Sequence, residues 1–244
     1  MQAMIFAAGF GTRLKPLTDT MPKALVKVGE RTLLEQVIEK LANAGVDRMV
    51  INVHHFAGQI KDFLHDNANF GHDIVISDES ERLLNTGGGI KKAQSLFRCN
   101  EPILIHNVDI LSNVDLQVFY KQGQLNEATL LVSQRQTARY LLFDADMRLV
   151  GWTNVETGEV RSPYKDIDLK NCTMLAFAGI HSFSPGLFPL MDEFPDKFGI
   201  MDFYLSVCHK VEIKGVIVNN LRLLDVGKID SLAAAEKFME EIIN

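Results

Sequence analysis

The chain has few cysteines, and they are not arranged to build a covalent or metal-bound framework. Its 244 residues include only Cys99, Cys172 and Cys208, which are widely spaced and form no CxxC pair. Disulfide scaffolds and zinc knuckles need cysteines in closely spaced sets. The seven histidines likewise form no HExxH or comparable ligand pattern. A disulfide-stabilised domain and a zinc site are therefore disfavoured, and we expect a reducing, cytoplasmic location.

Long apolar runs and a basic excess are also missing. No run approaches the roughly 20 apolar residues of a membrane-spanning helix, and no basic segment precedes the apolar start of the chain. The formal net charge is −6 with scattered basic residues, whereas a general nucleic-acid binder needs a basic face. We therefore expect neither a membrane nor a nucleic acid as partner. No repeat or linker is visible, and the oligomeric state is left open.

The most informative stretch is a glycine-containing loop after the first apolar run. Residues 4–8 predict a buried parallel strand, and Gly9-Phe10-Gly11-Thr12-Arg13 follows at once. Glycines at a strand end let the backbone turn sharply and bring bare N–H groups close to an anion. Arg13 suits phosphate oxygens, and Pro22-Lys23 adds a second cation. The loop alone is more typical of a turn with surface cations, but with Pro22-Lys23 downstream we interpret it as a triphosphate-binding loop.

Two commoner phosphate-binding loops do not fit the sequence. The Walker pattern GxxxxGK[ST] does not occur. The dinucleotide fingerprint GxGxxG requires glycine where Leu14 stands, and an acidic residue where the second strand ends at His54-His55. Both interpretations are therefore excluded.

Alternating strand and helix patterns follow in the first half of the chain. Thr32 and Glu35 form a capping box that begins a helix. Residues 49–53 and 74–76 predict two further strands, with another helix between them. This alternation is typical of an α/β protein with a mixed, mostly parallel, Rossmann-like sheet flanked by helices.

A run of three glycines, Gly87-Gly88-Gly89, is predicted to open the next helix. A flexible turn is one explanation of such a run. The other is that the absence of side chains lets a flat base and ribose lie against the backbone. On that second interpretation, Gly88→Val raises the KM for a triphosphate while the fold stays intact.

Two strands are predicted to end on carboxylates. Residues 102–106 form an apolar run that delivers Asn107 and Asp109 at its carboxyl end, and residues 221–224 form one that ends on Asp225. Ligands of open α/β sheets bind at the carboxyl ends of the strands. We therefore expect both carboxylates at the active edge of the sheet.

After residue 126 the pattern becomes β-rich, and residues 154–171 read as a polar loop over a pocket. We expect one domain of residues 1–244, with a nucleotide-binding half at 1–125, a sugar-phosphate half at 126–228 and a C-terminal helix at 229–244. The inner stripe of that helix is predicted to be Leu232, Ala235, Met239 and Ile242. Helix caps are predicted at Ser112 or Asn113, at Ser184 before Pro185, and at Asp202.

The loop resembles the signature of the sugar-1-phosphate nucleotidyltransferases, which is a strand, then G-x-G-[TS]-R, then P-K. The likeness continues through 84–89, 107–109 and 225–227 in the family's order, so it covers nearly the whole chain. The TGGGI run and the F-x-G-I segment at 177–180 are similar to the short bacterial N-acetylmuramate 1-phosphate uridylyltransferases. The chain departs from the family pattern at Asn85, Val108 and Lys228.

The resemblance implies a GT-A-like fold. It also implies an enzyme that transfers a nucleotidyl group from a nucleoside triphosphate to a sugar 1-phosphate. UTP is the expected donor, and N-acetylmuramate 1-phosphate is the expected acceptor. Pyrophosphate is released, and the nucleotide-sugar serves cell-wall or glycan synthesis, including peptidoglycan recycling. The implied roles are catalysis by Arg13 and Lys23; nucleotide contacts from Ala7, Ala8, Gly9, Phe10, Gly11, Thr12, Gly87, Gly88 and Asn107; a substrate contact from Gly179; and one Mg²⁺ held by Asp109 and Asp225.

Other functions stay open at this stage. They are a mannose- or heptose-1-phosphate guanylyltransferase, a choline-phosphate cytidylyltransferase, and a binding protein that senses a nucleotide or sugar without turnover. The complete set of Arg13, Lys23, Asp109 and Asp225 favours turnover over sensing. The TGGGI run favours sugar over choline, and no aromatic cage for a quaternary amine is obvious.

Overall fold

The computed structural model describes residues 1–243, with side chains as far as residue 241, and contains a ten-stranded sheet and two small two-stranded sheets. The strands are β1 (Gln2–Phe6), β2 (Lys27–Val28), β3 (Arg31–Thr32), β4 (Arg48–Val53), β5 (Asp73–Asp78), β6 (Ile103–Asn107), β7 (Ile110–Ser112), β8 (Ala128–Ser133), β9 (Arg139–Phe143), β10 (Leu149–Asn154), β11 (Glu159–Arg161), β12 (Thr173–Phe183), β13 (Ile213–Ile217) and β14 (Leu223–Asp225). The α-helices are α1 (Leu33–Asn43), α2 (Ala57–Asp66), α3 (Asn85–Lys92), α4 (Leu116–Gly123), α5 (Ile200–Val207) and α6 (Asp230–Ile243).

The large sheet is parallel in one part and mostly antiparallel in the other. Its strand order is β11-β10-β9-β12-β6-β1-β4-β5, and β8 pairs with β12 and β13. Strands β6, β1, β4 and β5 are parallel neighbours, whereas β12 runs antiparallel to β6, β8 and β9. The predicted mixed α/β fold, with a parallel first half and a β-rich second half, is confirmed.

Helices cover both faces of the parallel strands. In β1, Ala3 and Ile5 face a core shared with α1 and α2, while Met4 faces a second core shared with α3 and α5. All three side chains are fully buried. A strand buried on both faces favours apolar residues at successive positions, which is why the sequence shows a continuous apolar run from residue 3 to residue 6 instead of an alternation.

The capping predictions are partly right. Thr32 caps α1 by accepting the N–H of Glu35, and Ser184 caps the short 3₁₀ helix Pro185–Met191. The cap predicted for α4 is wrong, because that helix begins after Asp115, whose carboxylate accepts the N–H of Val118 at 2.9 Å. Ser112 cannot serve because it belongs to β7.

The cap predicted at Asp202 is also wrong. Gly199 occupies the N-cap position of α5 and offers no side chain, while Asp202 lies in the first turn of the helix. There its carboxylate accepts a hydrogen bond of 2.7 Å from Arg161. An acidic residue in a first turn and one at a cap give the same sequence signal, since both are favoured by the helix dipole.

The last predicted strand lies elsewhere than expected. β14 does not join the large sheet but pairs antiparallel with β7, so that Asp225 lies opposite Ile110. In α6, Ala235 is fully buried and Leu232 and Met239 pack against the core as predicted, whereas the side chain of Ile242 lies outside the described residues. Across residues 1–243, no helix is long and apolar enough to span a bilayer.

One buried histidine makes the stability of this fold dependent on pH. The ring of His181 packs between Phe177 and Tyr204, and neither ring nitrogen has a hydrogen-bond partner among the described residues. Burial lowers the pKa of His181 to about 3. Free histidine titrates near 6.5, so the unfolded chain takes up this proton first as the pH falls. The stabilising contribution of neutral His181 is therefore complete above pH ~6.5 and is lost progressively down to the folded-state pKa.

We therefore expect urea denaturation at pH 7.5 and 5.0 to separate the wild type from His181→Phe. The wild type should lose about 2 kcal/mol more unfolding free energy than the variant over this interval, since each pH unit below the unfolded-state pKa costs about 1.4 kcal/mol. Other groups titrate equally in both proteins and cancel in the comparison. Equal losses in the two proteins would contradict the assignment.

Candidate functional site

A pocket of about 420 Å³ opens at the carboxyl ends of β1, β4 and β6. One wall is the segment after β1, the floor includes the end of β6, and the opposite wall is the segment from Leu83 into α3. Ligands of open α/β sheets bind at this edge. The predicted site residues that line the pocket are Ala7, Ala8, Gly9, Lys23, Asn107 and Asp109.

The glycine loop turns as the sequence predicts, and it does so at Gly11. This residue has a φ of +65°, which disfavours any residue with a Cβ. A Cβ at this position would lie 2.9 Å from Cβ of Lys23 and 2.9 Å from Cγ2 of Thr18. Glycine is thus required both for the turn and for the close approach of Lys23. The remaining loop residues Phe10, Thr12 and Arg13 are not among the residues that line the pocket, and all three are exposed.

Lys23 and Asp109 form an ion pair at the pocket floor. Their side chains retain 10% and 21% of their accessible surface, so the pair is largely shielded from water. Lys23 belongs to the loop, and Asp109 lies in the turn between β6 and β7. The structure thereby brings together two residues that are distant in the sequence, which the spacing alone could not establish.

Asp225 lies beside this pair. The N–H of Val226 donates to the carbonyl of Asp109 at 2.9 Å, which joins the two carboxylate-bearing segments directly. Oδ1 of Asp225 is buried and has no hydrogen-bond partner within residues 1–243. Arg13 approaches from the loop: a Cβ on Gly227 would lie 2.8 Å from its Nη2 and 2.7 Å from Oδ1 of Asp225. All four predicted charged residues therefore lie around one edge of the sheet.

A neutral histidine lies in β6, close to Asp109. Nδ1 of His106 donates to the carbonyl of Asn107 at 2.7 Å, and burial lowers the pKa of His106 to about 4. At neutral pH this ring is uncharged and adds no cation beside Asp109. The positive charge at the floor of the pocket comes from Lys23.

The three glycines of the TGGGI run lie inside α3 rather than before it, since the helix begins at Asn85. The N–H groups of Gly87 and Gly88 both point at the carbonyl of Phe198, at 3.0 and 3.2 Å. A Cβ on Gly87 would lie 2.3 Å from the Phe198 ring, and one on Gly88 would lie 2.0 Å from the carbonyl oxygen of Asp196. Internal packing thus accounts for these glycines, and their contact with a nucleotide stays a prediction.

This packing changes the expected effect of substitution at Gly88. We expect Gly88→Ala to lower the unfolding free energy by about 1–3 kcal/mol, the usual cost of overpacking. Gly58→Ala is the matched control, because Gly58 also lies in a helix but has no atom within 4 Å of its Cβ position. Urea denaturation of both variants measures the difference. If Gly88→Ala is as stable as Gly58→Ala, the packing explanation is wrong.

Gly179 contacts the end of β6. It has a φ of +77° and lies where β12 departs from regular pairing with β8, between Phe177 and His181. A Cβ there would lie 2.9 Å from Nδ2 of Asn107. Gly179 therefore allows β12 to pass close to a pocket-lining side chain, and its predicted contact with substrate is not tested by this geometry.

Several pocket residues were not anticipated from the sequence. Asn52 lines the pocket from the end of β4, Thr86 lines it from the first turn of α3, and Gly199 lines it from the N-cap position of α5. Asn85 also lines it, in a left-handed conformation with a φ of +61°. Asn52 is a single amide in the otherwise apolar strand segment MVINV, a signal that could have drawn attention to it.

The structure offers a metal only a partial set of ligands. In the part of the chain described, no group of three or more histidine, cysteine, aspartate or glutamate residues converges as it would at an all-protein metal site. Asp109 and Asp225 supply two carboxylates from adjoining segments. Magnesium commonly accepts one or two protein carboxylates together with substrate phosphates.

Comparison with known proteins identifies the family to which the first part of the chain is similar. Residues 2–143, more than half of the chain, match the family described as nucleotidyl transferase. The N-acetylmuramate alpha-1-phosphate uridylyltransferase of Caulobacter vibrioides is 42% identical over 109 residues, which cover 44% of this chain and 45% of that protein. The mannose-1-phosphate guanyltransferase of Neurospora crassa is 37% identical over 139 residues, which cover 55% of this chain and 38% of that protein. The matches span about half or less of these relatives' length.

A solved structure extends the likeness to nearly the full chain. The crystal structure of HddC from Yersinia pseudotuberculosis, complexed with GMP-PN, has a TM-score of 0.76 to this chain. It covers 98% of this chain and 99% of its own, at 20% sequence identity. At that identity the likeness concerns the fold. The matched family region contains the loop, Lys23 and Asp109, whereas Gly179 and Asp225 lie beyond it.

Proposed function

The chain belongs to the nucleotidyl transferase family, and from that premise we propose that it transfers a nucleotidyl group from UTP to N-acetylmuramate 1-phosphate and releases pyrophosphate. The observation that carries this proposal is the convergence of Arg13, Lys23, Asp109 and Asp225 at the pocket edge. Two cations and two carboxylates at one site suit a reaction between two phosphate-bearing substrates.

The reaction needs no general base. An oxygen of the sugar phosphate is already anionic, since the second pKa of a phosphate monoester is near 6. It attacks the α-phosphorus, the bond from that phosphorus to the bridging oxygen breaks, and pyrophosphate leaves with the electron pair. The obstacles are repulsion between two anions and charge accumulating in the transition state. Positioning and electrostatic stabilisation should therefore provide most of the catalysis.

Each charged side chain has a role in this proposal. Arg13 and the backbone N–H groups of Gly9, Phe10 and Gly11 hold the β- and γ-phosphates, which become pyrophosphate. Lys23 leaves Asp109 and lies between the phosphates of the two substrates. Its shielding from water makes its charge more effective there. Ala7, Ala8, Thr12, Gly87, Gly88 and Asn107 contact the nucleotide, and Gly179 contacts the sugar phosphate.

Asp109 and Asp225 suit a single Mg²⁺. The donor set is two hard carboxylate oxygens, and the buried Oδ1 of Asp225 has no hydrogen-bond partner among the described residues. When bound, the ion would neutralise charge on the phosphates. The chain's own part is to hold two carboxylates on adjoining segments, Asp109 in the turn before β7 and Asp225 at the end of β14. Lys23 is the cation that offsets Asp109 in the absence of the ion.

The proposal also divides the chain by role. Residues 1–125 bind the nucleotide and residues 126–228 receive the sugar phosphate, within one domain completed by the C-terminal helix. We propose a cytoplasmic enzyme of nucleotide-sugar synthesis that serves peptidoglycan recycling. The similarity to a mannose-1-phosphate guanyltransferase favours GTP with mannose 1-phosphate as the second candidate pair.

Pyrophosphate release tests the proposal. UTP, GTP and CTP are each combined with N-acetylmuramate 1-phosphate, mannose 1-phosphate and phosphocholine, with and without Mg²⁺. The proposal expects the highest kcat/KM for UTP with N-acetylmuramate 1-phosphate. A preference for GTP with mannose 1-phosphate would establish the second candidate. If a nucleotide binds but no combination of triphosphate and acceptor releases pyrophosphate, the protein is not an enzyme of this type, and the result would indicate a sensing protein.

A further inference from the structure

Two buried polar side chains, Asn52 in the pocket lining and Glu79 behind it, connect the opposite walls of the pocket. Asn52 is the penultimate residue of β4 and has 3% of its surface exposed, and Glu79 follows β5 with none exposed. Oδ1 of Asn52 accepts the N–H of Ala7 at 2.9 Å, and Nδ2 of Asn52 donates to Oε1 of Glu79 at 2.7 Å. Oε2 of Glu79 accepts the N–H of Leu84 at 2.9 Å. Three hydrogen bonds thus link the segment after β1 to the segment before α3.

The orientation of each group in this chain of hydrogen bonds is set by chemistry. The N–H groups of Ala7 and Leu84 can only donate, so they require acceptors. Both oxygens of Glu79 accept, which is the pattern of an ionised carboxylate. The amide of Asn52 must then turn its oxygen to Ala7 and its nitrogen to Glu79. Two amides would leave two donors facing each other, and two ionised acids would leave two acceptors facing each other, so only the exchange of acid and amide also satisfies these three hydrogen bonds.

A glycine of the TGGGI run accommodates this pair. A Cβ on Gly89 would lie 2.8 Å from Oε1 of Glu79 and 3.1 Å from Nδ2 of Asn52. The third glycine therefore lets α3 pass directly over the pair. Burying a carboxylate is costly unless it is fully hydrogen-bonded. The Asn52–Glu79 pair requires a buried carboxylate, which costs free energy, and a glycine inside a helix. Packing of the core alone does not explain such a pair.

We propose that Asn52 and Glu79 are positioning residues of the nucleotide pocket, which fix the separation of its two walls. Ala7 and Asn85, on the two sides of the chain of hydrogen bonds, both line the pocket. This inference rests on the proposed function in one respect: it assumes that the ligand of the pocket is a nucleoside triphosphate. Because neither side chain performs a chemical step, loss of the pair should weaken nucleotide binding more than kcat.

The test is an exchange of the two side-chain types. In Asn52→Asp, two carboxyl groups face each other across a hydrogen-bond distance, so they either repel as two anions or share a proton, and both arrangements cost free energy at neutral pH. In Glu79→Gln, the new NH₂ group must face another donor, whichever way either amide turns. In the double variant the carboxylate at position 52 accepts from Ala7 and from the amide at position 79, whose oxygen accepts from Leu84. All three hydrogen bonds and the net charge are then restored.

Calorimetric titration with UTP and with GTP, together with steady-state kinetics, measures the effect. We expect each single variant to raise the Kd and KM of the preferred triphosphate at least about tenfold, which corresponds to loss of one buried hydrogen bond of roughly 1.4 kcal/mol. We expect kcat at saturation to change less than KM. The double variant should return to within about threefold of the wild-type Kd.

Gln2→Glu is the matched control. Gln2 is also fully buried in β1 but at the opposite end of the strand, where its amide donates to the carbonyls of Arg98 and Glu101. This variant should lower thermal stability and leave the Kd unchanged. A merely structural role predicts that all variants lose stability together with no specific change in Kd.

The outcomes separate the two proposals. Single variants that bind nucleotide like the wild type, or a double variant as weak as the singles, would overturn the positioning role. If the wild type binds a triphosphate but releases no pyrophosphate, the proposed function fails and the binding measurements still decide the role of the pair. If the wild type binds neither triphosphate, both proposals fail.

Discussion

Asp109→Asn and Asp225→Asn should each reduce pyrophosphate release at least about 10²-fold, and the double variant should be little worse than the poorer single one. If both carboxylates hold the same Mg²⁺, removing either one already displaces the ion from its place between the phosphates. The contact between the two segments, from the N–H of Val226 to the carbonyl of Asp109, makes shared ligation geometrically reasonable. Losses that multiply as independent factors would contradict a shared ion.

The dependence on Mg²⁺ provides the second measurement for this pair. Each single variant should need more Mg²⁺ for half-maximal activity, because one protein ligand is gone. Asp115→Asn is the matched control: it removes a carboxylate that caps α4, and asparagine caps a helix equally well. Activity and Mg²⁺ dependence should be unchanged in this control. Full wild-type activity in the presence of EDTA would rule out the metal role.

Lys23→Ala should reduce kcat by roughly 10²–10³-fold, the usual scale for one preorganised electrostatic group. The structure explains why the effect should be large: Lys23 is 9% exposed, so its charge acts where water screens it little. The same variant also leaves Asp109 without its ion-pair partner. Stability must therefore be measured beside kcat, and a variant that is folded yet retains near wild-type turnover would refute the role.

Two further substitutions sharpen this prediction. Lys23→Arg keeps the charge but replaces a compact ammonium with a wide planar fork, so it should not restore activity between two phosphates. Lys27→Ala removes an exposed lysine from β2, four residues further along the chain, and should leave kcat unchanged. Recovery of activity by arginine would mean that positive charge alone suffices at this position.

Local patterns were enough to predict the first half of the fold and much of the site. The apolar run of β1, the capping box at Thr32 and the glycine turn at Gly11 each reflect interactions between residues that are close in the sequence. Short-range geometry of this kind depends on side-chain size, backbone freedom and hydrogen-bonding capacity, all of which can be read from residue types. The loop, Lys23 and Asp109 were identified on that basis, with the family resemblance adding their expected roles.

The tertiary structure decided matters that depend on distant partners. Asp225 was predicted at the edge of the large sheet, but β14 pairs with β7 in a separate sheet, because strand pairing is a long-range choice that periodicity does not encode. Gly87 and Gly88 were predicted to form a surface for a nucleotide, and the structure adds a reason for glycine that the sequence did not show: Asp196 and Phe198 occupy the space where their side chains would be. A glycine's neighbours in space are invisible in sequence, since the same residue serves a turn, a ligand or a close contact.

The pair Asn52 and Glu79 shows most directly what cannot be predicted from the sequence. Each residue taken alone is an ordinary polar side chain near the end of an apolar strand, and 27 positions separate them. Only the parallel pairing of β4 with β5 brings the two strand ends together, where an amide and a carboxylate complete each other's hydrogen bonds. Residue types thus decided which elements form and which charges are available. The three-dimensional arrangement decided which of those groups meet, because the free energy of a buried polar contact depends on both partners being present.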